Sequence, residues 1–169
     1  MPGRSCCSFG YPDSMNVDLL ETVRRTIVYR PERCCLAQWA FARNERAVLD
    51  NGAPPVGFKC CLAGHVLLAA ETYTERELLL HGGFHTGGEL WHEAGAVLGL
   101  SESQYRTLFF PSQWEKPYKQ EYYLCSAAEE AEVAAAYLDH YITKHADPSR
   151  RRSREGEASA RAQAVMATV

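Results

Sequence analysis

The stretch from Ala94 to Trp114 limits what this chain can fold into more than any other. Leu90, Ala94, Val97 and Leu98 recur at helical spacing, and Gly99 stands where a left-handed C-terminal cap belongs. Ser101 then opens a second helix, with Gln104 three residues on to complete a capping-box pattern. Tyr105, Leu108 and Phe109 form the inward face of that helix, Pro111 closes it, and Trp114 reads as a buried anchor. These signals specify a helical pair and assign no chemistry.

The rest of the chain reads the same way. Asn16 caps a first helix with Asp18 in its first turn, Leu19, Leu20, Val23 and Ile27 form its stripe, and Pro31 stops it. Cys34 to Phe41 is apolar and fits either a short helix or an extended segment. Arg43 to Phe58 reads as a connection, broken by Asn51, Gly52, Pro54 and Pro55. Cys60 to Tyr73 is apolar nearly all round, as expected of a central helix enclosed by others. Gly64 inside it costs about 1 kcal/mol against alanine, which a close approach by a neighbouring helix backbone would explain.

Thr74 to Gly88 reads as a connection ending in a glycine-rich stretch from His81. Pro117 to Leu124 is aromatic-rich and undetermined, and Ala127 to His145 is a final helix with Val133, Tyr137, Leu138 and Tyr141 as its stripe. There is no internal repeat. The expected architecture is all-α: a single compact domain of five or six helices over residues 15–145, a flexible N-terminus over 1–14 and a basic, disordered tail over 146–169.

Composition narrows the class. With 46% hydrophobic residues among 169, the chain can bury one core without disulfide staples, and seven cysteines, an odd number, suit reduced thiols. The longest apolar run, Leu62 to Ala70, is interrupted by Gly64 and His65 and falls short of the roughly 20 residues of a membrane span. Met1 to Tyr11 lacks the apolar stretch of a secretory signal. A cytosolic location with no membrane contact is the expectation. Residues 1–143 carry 12 basic and 18 acidic side chains, so the body offers no overall positive field to nucleic acid. The tail carries Arg150, Arg151, Arg152 and Arg154 without aromatics, which reads as a solvated segment; the alternative is a nucleic-acid or partner-binding arm.

The motif residues also carry a resemblance. Cys61, Ala63 and Gly64, then Ala94 to Leu100, Leu108 with Phe109, and Pro111 with Trp114 resemble the pattern of a group of small bacterial and bacteriophage proteins. The looser likeness runs from about Asn16 to His145. It implies a helical fold and carries no assigned activity or catalytic residues. Members commonly have tryptophan where this chain has His65, and often a cysteine where it has Val56; a metal site or disulfide built on that cysteine could not form here.

Several constellations could carry chemistry. Cys34, Cys60, Cys61 and His65 are the candidate metal ligands, His65 lying one helical turn from Cys61. Adjacent cysteines diverge in direction, so core-filling thiols are the plainer use and no metal or other cofactor is expected. Cys60 or Cys61 near a helix N-terminus, beside Lys59, is a candidate nucleophile if a histidine such as His81, His85 or His92 reaches it. Those histidines, flanked by Glu89 and Glu93 on a glycine-rich loop without a Walker signature, read as an exposed loop. A helix-turn-helix is the sharper alternative: Ser101, Ser103, Gln104 and Arg106 would face a major groove. Against it stand Gly95 where that motif favours alanine, Tyr105 where it favours a compact residue, and Glu102 near phosphate. Trp39, Trp91, Trp114, Tyr118, Tyr122 and Tyr123 are candidates for an aromatic binding face, with core packing as the plainer role for most. The leading expectation is a non-catalytic module that binds a protein partner.

Overall fold

The computed structural model describes residues 15–81 and 87–146, which contain eight α-helices and one two-stranded sheet. The 1–14 segment, His85 and the tail beyond Ala146 lie outside the described residues. The helices are α1 (Val17–Tyr29), α2 (Glu45–Asn51), α3 (Leu62–Ala69), α4 (Glu75–His81), α5 (Gly87–Val97), α6 (Glu102–Phe109), α7 (Tyr118–Leu124) and α8 (Glu130–His145). Strands β1 (Ala40–Phe41) and β2 (Lys59–Cys60) pair antiparallel, Ala40 opposite Cys60 and Phe41 opposite Lys59. Among the described residues, no helix is long and apolar enough to cross a membrane.

α1 forms where its stripe predicts. The Asn16 side chain accepts the Leu19 amide at 3.1 Å, and Leu20, Val23 and Ile27 are fully enclosed. α1 packs on α8 and on α3, while α3 also packs on α5. The hub is α3, whose residues Leu62 to Leu67 are all buried. It begins two residues later than the sequence suggests because the Cys60 backbone is used in sheet pairing, and Cys34 adds a parallel bridge to Cys60. The helix then ends at Ala69 and turns through Glu71, a non-glycine residue with φ of 56°.

Gly64 earns its place differently from the expectation. The atoms that a Cβ there would meet are Cys60 Cβ at 2.9 Å and Cys60 Sγ at 3.0 Å, not a helix backbone. A one-turn excursion from strand to helix presses the thiol onto the glycine, and no larger residue fits without a shift.

Two expected connections contain helices. α2 sits in the 43–58 segment and α4 in the 74–88 segment, and the two pack against each other. Each is seven residues long, too short for periodicity to stand out, and each takes its stability from burying Val48 or Leu78 and Leu79. Cys34 to Phe41 forms no helix: after a 3₁₀ turn it bridges to Cys60 at Cys34, turns at Leu36 and Ala37 and ends in β1, and Pro117 to Leu124 contains α7.

The opening pair folds as read. Gly99 takes φ of 69°, and the Leu100 amide donates to the Gly95 carbonyl at 2.9 Å, closing α5. Gln104 Oε1 accepts both the amide and the hydroxyl of Ser101 at 2.8 Å. Trp114 is buried, donates from Nε1 to the Leu108 carbonyl at 3.1 Å, and stacks on Tyr137 with ring centroids 4.1 Å apart.

Candidate functional site

The Cys34–Cys60 bridge brings the two cysteine pairs together, and His65 lies one turn along α3 from Cys61. Cys34, Cys35, Cys60 and Cys61 are all buried free thiols. Burial pushes the Cys34 thiol up to about 12 and the Cys60 thiol well above its ordinary range. Cys61 caps α3, and the Ala63 and Gly64 amides and the Trp91 side chain favour its thiolate. Burial outweighs them and holds the group at about 11, so the helix N-terminus does not activate this sulphur.

His65, 3% exposed, holds its Nε2 3.2 Å from the Arg33 carbonyl oxygen. A carbonyl can only accept, so this contact sets the Nε2-protonated tautomer and removes that nitrogen as a metal ligand. Burial lowers the ring to about 4, with the Arg33 charge acting the same way and the carbonyl opposing, so His65 is neutral at neutral pH. Among the described residues, no group of three or more His, Cys, Asp or Glu side chains could hold a metal ion. His81 and His92 are exposed and make edge contacts with Tyr73 and Tyr105.

The helix-turn-helix residues have structural duties. Ser101, Ser103 and Arg106 are exposed and Gln104 is half-buried. The Gln104 side chain is spent on the α6 cap, and Arg106 pairs with Glu102 at 2.9 Å. Gly95 and Tyr105, which looked like departures from the motif, are complementary: a Cβ at Gly95 would stand 2.5 Å from Tyr105 Cδ1. The tyrosine ring fills the space that glycine leaves.

The aromatic candidates are mostly core. Trp114 is buried, while Trp39, Trp91, Tyr118 and Tyr122 are half-buried against the core; Tyr123, 62% exposed, is the exception.

A basic face that the sequence reading passed over lies at the end of α1. One groove of about 570 Å³ runs between α1 and α3, with Arg25, Tyr29, Arg30 and Arg33 on its walls and His65 at its floor. A second, of about 530 Å³, adjoins it and shares Arg30 and Arg33, adding Phe41, Arg43, Phe58 and Lys59. Arg33 stands between them, ion-paired to Glu75 and lying over the Phe58 ring at 5.5 Å. Its Nε is buried without a hydrogen-bond partner.

Local structure presets the other cations. Lys59 Nζ sits 5.3 Å from the Phe41 ring centre across the strand pair. Arg43 lies against Gly57, where a Cβ would meet Arg43 Nε at 2.5 Å. The Asn44 side chain pins this loop by donating to the Pro54 carbonyl at 2.9 Å and accepting the Val56 amide at 2.7 Å. One sequence signal was available: Arg24 to Arg33 holds four arginines against the single carboxylate of Glu32. The whole-body charge balance masked it, and Arg43 and Lys59 join only through the fold.

Compared with known proteins, the chain matches no family model, no curated protein and no solved structure.

Proposed function

We propose that this chain is a non-catalytic module that binds a protein partner through the face at the end of α1. One observation carries the reading. Arg25, Arg30, Arg43 and Lys59 have no ion-pair partner among the described residues, and they gather around two adjoining grooves beside Tyr29, which is 82% exposed. Arginine and tyrosine are the residue types that interfaces favour, and a rigid helix end presents them at low entropic cost. The buried thiols and the neutral, carbonyl-bound His65 supply no poised nucleophile or base, which supports binding over catalysis.

A photo-crosslinking amino acid at position 29, compared with the same label at position 123, tests the reading. The expected result is one identified protein crosslinked from position 29, forming a defined complex when both components are purified. Equal, diffuse labelling from both positions would sink it.

The runner-up is a helix-turn-helix DNA binder using Ser101, Ser103, Gln104 and Arg106. The α5–Gly99–α6 geometry favours it; the commitments of Gln104 and Arg106 count against it. Duplex binding that is lost with Arg106→Ala while the fold is retained would reverse the order of the two readings.

A further inference from the structure

The geometry points to an acidic peptide segment as the ligand of the two basic grooves, its carboxylates ranged along Arg25, Arg30, Arg43 and Lys59. This identification rests on the reading of the chain as a protein-binding module.

The distribution of spent and unspent cations is the first argument. Elsewhere, basic side chains are neutralised within the fold: Arg24 by Asp139, Arg46 by Asp50, Arg106 by Glu102 and Lys144 by Glu115. Arg76 donates to the Val48 carbonyl. Of the described cations left without a carboxylate, only Arg76, Lys116 and Lys119 lie outside the two grooves. Cations that repel one another across a shared ridge favour an anionic ligand between them.

The lining then selects peptide over nucleic acid. In the first groove the Thr22 hydroxyl donates to the Asp18 carbonyl and the Thr26 hydroxyl to the Thr22 carbonyl, both at 2.9 Å. The Thr22 oxygen in turn accepts from Arg25 Nη2 at 3.2 Å, while the Thr26 oxygen, its hydrogen spent, is left to meet a ligand as an acceptor. A peptide brings backbone N–H donors to meet such an acceptor, whereas a phosphodiester chain brings oxygens. The acidic excess over residues 1–143 also repels a polyanion longer than the grooves, while a short segment stays within them. Tyr29 at the rim offers the ligand an aromatic contact beside the charges.

Fluorescence anisotropy of the full chain with a fluorescein-labelled ten-residue polyglutamate tests the proposal at low and physiological salt. Arg25→Glu with Arg30→Glu should weaken binding about tenfold or more, and Arg43→Glu should weaken it as well. Lys116→Glu with Lys119→Glu should leave it within about twofold, because those lysines lie outside the grooves. Circular dichroism checks each variant; if the Glu pair misfolds, Arg25→Gln with Arg30→Gln decides, with a several-fold loss expected. Three results would overturn the proposal: no binding, equal losses from both charge-reversed pairs, or tighter binding of a ten-nucleotide oligothymidine with the same dependence on Arg25 and Arg30. If a partner still crosslinks at position 29 when Arg25 and Arg30 are reversed, the acidic-segment assignment falls while the protein-binding reading stands. Loss of crosslinking at position 29 in the unmodified charge background removes the reading itself.

Discussion

At the scale of single residues, buried polar groups define what this chain tolerates. His65 must be neutral to remain enclosed against the Arg33 carbonyl, and its folded value of about 4 lies below the ordinary 6.5. The folded state therefore binds fewer protons than the unfolded one between those values. The resulting stability is fully present above pH 6.5 and is lost as pH falls toward 4, a loss of about 3 kcal/mol. Urea midpoints measured from pH 7 to pH 4 should fall more steeply for the native chain than for His65→Gln; parallel curves would show that this ring does not drive the acid sensitivity. The thiols make a companion case. Cys34, Cys60 and Cys61 are buried with raised pKa values, so alkylation at pH 8, mapped by mass spectrometry, should spare all three until denaturant is added. Rapid native labelling of Cys61 would instead point to a reactive site at the α3 N-terminus.

At the scale of elements, the α5–α6 pair shows how a glycine and a large ring act as one unit. Gly95→Ala places a methyl group inside the Tyr105 ring contact, and overpacking of this kind costs about 1–3 kcal/mol. Gly95→Ala combined with Tyr105→Val should recover part of that loss, since the smaller side chain withdraws from the new methyl. Additive losses in chemical denaturation would mean that the two positions are not in contact. The pair itself was legible in advance: Gly99, Ser101 and Gln104 act over three or four residues, and local signals of that range survive in any tertiary setting. α2 and α4 were not legible, because each is only seven residues long and draws its stability from packing on the other. Cys60 belongs to a strand for a similar reason. Its partner Ala40 lies 20 positions away, outside any local window.

At the scale of the whole molecule, long-range ties join the helices into one core. The Tyr137 hydroxyl donates to the Thr107 carbonyl at 2.9 Å, the Tyr141 hydroxyl to the Gln104 carbonyl at 3.2 Å, and Glu130 accepts the Leu36 amide at 2.9 Å. Trp114 sits where α6, α7 and α8 meet, and its ring stacks on Tyr137. Trp114→Ala should therefore cost about 3–5 kcal/mol and lower the thermal midpoint of the entire chain. Far-UV circular dichroism and the fluorescence of the remaining tryptophans should still change together. Separate transitions would show that the α6–α8 end unfolds on its own.

The sequence by itself determined the all-α class, the boundaries of α1 and the α5–turn–α6 junction, and the burial of Cys34, Cys35, Cys60 and Cys61, because caps, apolar periods and side-chain size act within a few residues. Only the tertiary structure decided where the charges lie. Arg25, Arg30, Arg43 and Lys59 come from a helix, a helix end, a loop and a strand, and the fold converts an acidic chain into one with a basic face. Net charge is a sum over residues, whereas the field a partner meets depends on distance, and distances between remote residues exist only once the chain is folded.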